Sequence, residues 1–245
     1  SKKVESALRD RAAAFQAADI IKTEFVRNVS YQLRTPLTTI QGYGDLLASG
    51  AAGALDDRQA RQLAAIRRAT EQLHEMIDNI LDLALIDAGK MELDLGDVHV
   101  GELLADSAAM ARSQVSDAGV TLEVRAEPGL VIRADAKRVR QMLFTMAAHA
   151  MGRVAGGGAV TFEARSFQGN VTLSVTDTGP PLSPERQMHA FDGFSSDDRR
   201  GSGIGLALVR RFCTLHGGWS GLRAPPAGGL TIECHLPLVA SPRHA

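Results

Sequence analysis

The feature that most limits how this chain can fold is a run of spacings between residues 57 and 88. Leu63, Ile66, Thr70, Leu73, Ile77, Ile80 and Ala84 follow one another at steps alternating three and four. A seven-residue repeat of this kind lines all these side chains along one edge of an α-helix. So regular a seam suits a helical bundle better than a lone surface helix. Upstream, Phe25, Val29, Leu33, Leu37, Ile40 and Leu47 fall at steps of three, four or their sum, a second helical stripe. Between the two, Gly50–Asp57 reads as a hairpin loop. Asp56 or Asp57 can cap the second helix, and Gly89 can end it. Two helices of this length bury their stripes poorly against each other alone. The pattern therefore predicts a homodimer that closes a four-helix bundle. The alternative is a monomeric hairpin packed on the rest of the chain.

From residue 90 the texture changes. Met91–Leu95, Val120–Arg125, Val131–Arg133, Val160–Ala164, Val171–Thr176 and Leu230–Leu236 alternate or carry β-branched residues, as strands do. Helical stretches near 99–117, 135–152 and 203–217 lie between them. Strands mixed with helices in this order predict an α/β sandwich, and the whole chain is α+β. The expected division is 1–22 as the start of a long helix, 23–89 as the helical hairpin, and 90–245 as the sandwich.

Charge narrows the function classes. With 27 basic and 28 acidic residues the net charge is −1, which argues against a nucleic-acid binder. Cys213 and Cys234 stand far apart in sequence, in no metal-ligand spacing, and read as two isolated thiols of a reduced, cytoplasmic protein. No apolar run approaches the roughly 18–20 residues that cross a bilayer. The opening SKKVESALRD reads as the middle of a longer helix. The expectation is a piece of a longer protein whose other part holds a sensor or membrane anchor.

The stretch from Phe25 to Thr38, FVRNVSYQLRTPLT, strongly resembles the H-box of bacterial histidine kinases. In that family the position of Tyr31 is the histidine that accepts the γ-phosphate. The position of Gln32 is usually an acidic residue that helps activate it. Thr35 takes the place of the polar residue that orients water for phosphatase action, and Pro36 that of the helix-bending proline. Tyr31 lies two residues from both Val29 and Leu33, so it projects away from the apolar stripe, with Thr35 one turn later on the same face. Pro36 leaves the carbonyl of Gln32 without its helical donor, so a bend is expected there.

The substitution changes the chemistry. Histidine attacks phosphate as a neutral imidazole, and its reference pKa of about 6.5 allows this near neutral pH. Tyrosine, with a reference pKa of about 10, stays protonated and needs a base. Gln32 is an amide and takes no proton. His74, the other imidazole candidate of this half, has no relay motif around it and reads as an incidental surface residue.

The second half resembles the ATP-binding domain of the same family, a Bergerat (GHKL ATPase) sandwich. Asp177-Thr-Gly-Pro-Pro181 resembles the G1 box, in which Asp177 would bond the adenine amino group and Gly179 would permit close approach. Pro181 replaces the last glycine of that box and fixes φ. Phe191 and Phe194 match the F-box aromatics. Gly201, Gly203 and Gly205, just before a helix, match the G2 box, where backbone N–H groups meet phosphate. The N-box departs from the pattern, with Thr145 and His149 at the family's asparagine positions. Mg²⁺ prefers hard oxygen ligands, which makes His149 a poor substitute. The family's basic residue commonly falls near Gly152, and Arg153 is an alternative partner for phosphate. The family's lid falls at Leu182 to Arg200 and ends in Arg199 and Arg200, which read equally well as plain solvated charges. Weak ATP and Mg²⁺ binding, or none, is expected, with no metal site.

The resemblance implies a two-component signalling protein without histidine autophosphorylation, in cell-cycle or cell-fate control. Its implied partners are a single-domain response regulator and a true histidine kinase that it regulates. Docking falls to Val29, Gln32, Thr35, Ile40 and Gln41. Two enzymatic alternatives stay open: a response-regulator phosphatase using Thr35 or Gln32, and an ATP-dependent kinase that labels Tyr31. The resemblance also implies that the full-length protein is membrane-anchored or polar.

Overall fold

The computed structural model describes residues 2–115, 119–154, 156–192, 204–226 and 228–238, with side chains from 21 onward except 22 and 113–115. The chain forms two compact units that divide between Met91 and Glu92.

The first unit is a hairpin of two long helices, α1 (Lys2–Ala48) and α2 (Asp57–Asp87). The α-helix runs unbroken through Pro36. Asp56 opens α2 with a capping box. Its carboxylate accepts from the Gln59 N–H at 2.7 Å, and the Gln59 side chain accepts from the Asp56 N–H at 2.9 Å. Gly89 adopts φ +64°, and the N–H groups of Gly89 and Lys90 close on the carbonyls of Ile86 and Leu85. Arg34 pairs with Asp78 at 2.6 Å and Arg67 with Asp45 at 3.0 Å, tying the helices together along their length.

Burial within the hairpin splits each seam in two. Thr23, Ser30, Leu37 and Gly44 on α1, and Leu63, Thr70, Ile77 and Ala84 on α2, are buried at every seventh residue. The interleaved residues Leu33, Ile40 and Leu47 on α1, and Ile66 and Leu73 on α2, stay exposed. One edge of each helix thus packs inside the hairpin, and the other presents apolar surface. Phe25 also lies 66% exposed, outside the buried edge.

The second unit is a two-layer sandwich. Its sheet has the order β2 (Thr121–Ala126), β4 (Ala159–Phe167), β5 (Asn170–Asp177), β7 (Leu230–Pro237) and β6 (Trp219–Arg223). β2 runs parallel to β4 and the other neighbours are antiparallel. A second ladder joins β1 (Gly96–His99) to β3 (Val131–Ala134). Helices α3 (Val100–Val115), α4 (Ala136–Arg153) and α6 (Gly205–Leu215) pack on the sheet, and a short α5 (Pro184–His189) follows β5. Alternation sorts the strands. Phe162, Val175 and Ile232 share one cross-strand row, and Ala164, Leu173 and Cys234 the next; all are buried. The opposite face is polar, where the hydroxyls of Thr176 and Thr231 hydrogen-bond at 2.9 Å.

Three expectations need correction. Met91–Leu95 forms no strand; pairing starts at Gly96, where β3 supplies the backbone partners. β6 and α5 are additional elements. The thiols of Cys213 and Cys234 are not isolated: both are fully buried, one on α6 and one on β7, and a hydrogen bond between them raises the Cys234 thiol well above its ordinary range, with burial adding to the effect. Each also lies against a methionine sulfur, Cys213 on Met142 at 3.8 Å and Cys234 on Met146 at 3.6 Å. His74 is half-buried on α2.

Candidate functional site

Tyr31 stands on the outer face of α1 and is 71% exposed. A shallow depression beside it is lined by Arg27, Asn28 and Gln32. None of these is a base at neutral pH. Thr35 and Pro36 are exposed further along the same helix, while Val29 and Gln41 are half-buried. The Thr35 carbonyl accepts from the Thr39 hydroxyl at 3.1 Å, and the Arg34 carbonyl from the Thr38 hydroxyl at 2.9 Å. These bonds engage carbonyls in the turn around Pro36. Gln32 and Thr35 are thus accessible beside Tyr31, while Ile40, nine residues on, is exposed on the apolar edge with Leu33 and Leu47.

In the sandwich, Asp177 ends β5 on the face that carries Val175 and Leu173, so its carboxylate turns toward the helices and is 1% exposed. One oxygen accepts from the Gly179 N–H at 2.8 Å. The other accepts from Nε of Arg153 at 2.9 Å. The same guanidinium donates through Nη2 to the carbonyl of Pro180. Gly179 is needed where it stands, because a Cβ there would lie 2.6 Å from the carbonyl oxygen of Arg153. Gly229, at φ +87°, presses closer still, with a Cβ position 1.9 Å from the Asp177 carbonyl oxygen.

Arg153 closes the last turn of α4, one turn beyond His149 and two beyond Thr145. In this structure its guanidinium pairs with the Asp177 carboxylate. The spacing 145, 149, 153 was the available signal, since residues four apart share a helix face. Thr145 approaches Gly205, where a Cβ would lie 2.7 Å from its Cγ2. His149 is half-buried. Phe191 is 7% exposed and lies under the guanidinium of Arg210, 4.9 Å from its ring centre. Phe194, Gly201, Gly203, Arg199 and Arg200 lie outside the described residues.

The two ends of α4 are both fixed. At its start the Asp135 carboxylate accepts from the N–H groups of Lys137 and Arg138, at 3.0 and 3.1 Å, and from Asp94 at 3.2 Å. The Asp135 N–H donates to Nε2 of His216 at 3.1 Å. That leaves the proton on Nδ1, which faces the Phe212 carbonyl at 2.7 Å.

Comparison with known proteins matches both units. The His Kinase A (phospho-acceptor) domain matches residues 21–89, and the histidine kinase-, DNA gyrase B- and HSP90-like ATPase matches residues 134–240. The chain belongs to the histidine kinase core family. This core is 44% identical over 240 residues to sensor protein DivL of Caulobacter vibrioides, covering 98% of this chain and 31% of DivL. It is 32% identical over 227 residues to histidine protein kinase DivJ of the same organism, covering 90% of this chain and 38% of DivJ. Full-length ShkA in complex with AMPPNP superposes at a TM-score of 0.74 with 28% identity, over 89% of this chain and 46% of that one. The chain thus spans about a third of the length of DivL and DivJ. The expected α+β architecture, a helical hairpin followed by a GHKL-type sandwich, is that of the family. Among the described residues, no helix of the core is long and apolar enough to cross a membrane.

As a cradle for Mg²⁺-ATP in the family manner, the side chains of this core are a poor match. Of the residues the resemblance assigns to that group, Asp177 is already paired with Arg153, and Thr145 and His149 offer a hydroxyl and an imidazole where hard oxygen donors serve best.

Proposed function

We propose that this core is the signalling end of a homodimeric two-component protein that reads a single-domain response regulator of the DivK kind and regulates a partner histidine kinase in cell-cycle control. It does so without histidine autophosphorylation. The observation that carries the reading is Tyr31, exposed at the phosphoacceptor-equivalent position of a His Kinase A domain, with Gln32 beside it and no base lining its depression. A phenol there is a weak nucleophile, and its phosphate ester would be ill suited to pass a phosphoryl group onward. The helix face around it stays well formed, which suits recognition. Likeness to DivL and DivJ supports the cell-cycle setting.

The docking surface comprises Val29, Gln32, Thr35, Ile40 and Gln41. The exposed edges of α1 and α2, with Leu33, Leu47, Ile66 and Leu73, pair in the dimer, and Ile40 lies where that edge borders the docking surface. ATP and Mg²⁺ bind weakly or not at all, for the reasons of charge and ligand type given above. The test measures binding of candidate receiver domains, phosphorylated and unphosphorylated, to the wild-type chain and to Gln32→Ala and Thr35→Ala variants. Binding that prefers one phosphorylation state and weakens at least tenfold in the variants is expected. Equal, mutation-insensitive binding of every receiver tried would refute the reading.

A further inference from the structure

We propose that Arg153 is an internal ligand of the base-reading carboxylate, and that its pairing with Asp177 keeps an adenine ring out of this site. The proposal rests on the reading that Asp177 is the base-reading position, and it names the residue responsible for weak nucleotide binding.

The geometry is a closed set of contacts. Arg153 Nε donates to one carboxylate oxygen of Asp177 at 2.9 Å, and Gly179 N–H donates to the other at 2.8 Å. The pair is withdrawn from water, with the Arg153 side chain 14% exposed and that of Asp177 1% exposed. The guanidinium also bonds the Pro180 carbonyl, so it joins the end of α4 to the loop that follows β5. The Arg153 carbonyl packs on Gly179 from the same side.

An adenine ring reads a carboxylate with its exocyclic amine, a neutral N–H donor. Arg153 offers the same carboxylate a full positive charge, which adds the Coulomb attraction of a largely buried ion pair to the hydrogen bond. The carboxylate keeps spare acceptor sites, but with 1% of it exposed an entering base reaches them by moving the guanidinium aside. It must also leave a guanidinium without its carboxylate in a low-dielectric site, which is strongly unfavourable. Chemistry of this kind makes the competent state rare, and apparent affinity falls in proportion to its population. The block acts at the base end, independently of the metal end at Thr145 and His149.

That independence sets the experiment. ADP in excess EDTA is titrated by calorimetry into the whole chain as wild type, Arg153→Gln, Arg153→Ala, and Arg153→Gln combined with Asp177→Asn. Leaving out Mg²⁺ keeps the altered metal end from deciding the result. The expected outcome is little or no heat with wild type, affinity raised on the order of tenfold or more in Arg153→Gln, and loss of that gain in the double variant. Folded Arg153 variants with wild-type weakness would overturn the proposal while leaving the weak-nucleotide reading intact. Tight ADP binding by wild type would sink both. Should the variants fail to fold, the Arg153 Nε–H resonance of the wild type decides. Protection from solvent exchange that persists in excess ADP supports the pairing; exchange as fast as that of surface arginines overturns it.

Discussion

Truncating Leu73 to alanine tests the split seam directly. Leu73 is 42% exposed in the single chain, among the seventh-residue positions that face away from the hairpin interior. Fully burying a leucine side chain gains roughly 1.5–3 kcal/mol, so covering the remaining two-fifths contributes about 1 kcal/mol. Two-fold symmetry brings the residue in twice, giving about 2 kcal/mol per dimer. At about 1.4 kcal/mol per tenfold, the dissociation constant should rise about 30-fold. Leu37→Ala is the control, because Leu37 is 6% exposed and packs inside the hairpin. Its truncation should lower unfolding stability by about 2–4 kcal/mol and change the dissociation constant less. Sedimentation equilibrium over a wide concentration range, with denaturant melts of the same samples, separates the two effects. A wild type that stays monomeric at every concentration would refute the reasoning. So would a Leu73→Ala dimer as tight as wild type.

Tyr31→His alone should give no label from γ-labelled ATP in a filter assay, because Gln32 takes no proton and the nucleotide end is unchanged; acid-labile label on the variant would contradict this. Asp135→Ala removes three hydrogen bonds at the start of α4. It should cost about 1–2 kcal/mol by chemical denaturation, and an unchanged midpoint would count against the capping role. Glu127 accepts from the Ser166 N–H and hydroxyl, and these bonds hold its carboxyl below the usual range. Its stabilising contribution is therefore present above the ordinary carboxylate pKa and fades as pH falls through the lowered value. Ser166→Ala should move the NMR titration midpoint of Glu127 upward but not fully back, since the backbone donor remains.

The hairpin was legible in the sequence because a seven-residue repeat has few structural solutions. The repeat located Leu63, Leu73 and Ile77 on one seam, yet it did not say which would be covered by the chain's own partner helix. That division follows from how α1 and α2 meet, which three-dimensional packing decides. The strands Val160–Ala164 and Val171–Thr176 were readable from β-branched alternation. β6 was not, since Trp219-Ser-Gly-Leu-Arg223 is short, holds a glycine and sits at a sheet edge. Met91–Leu95 alternates like a strand but has no ladder to join. The contact between Cys213 and Cys234, and that between Arg153 and Asp177, join distant segments, and local patterning carries no record of such pairings. Phe194, Gly201 and Gly203 fall outside the described residues, so their part in the site rests on the motif alone.

The arrangement around α4 has a mechanical consequence. An acidic residue anchors each end of this helix: Asp135 at the start, directly, and Asp177 at the finish, through Arg153. A beam clamped at both ends can neither slide along its axis nor roll without releasing a clamp. The start is reinforced by His216, whose ring ties the Asp135 backbone to the end of α6. The finish is held by the Arg153 side chain and the loop it grips. A rearrangement of this unit that shifts α4 therefore has to release the Arg153 grip at one end or the Asp135 cap at the other.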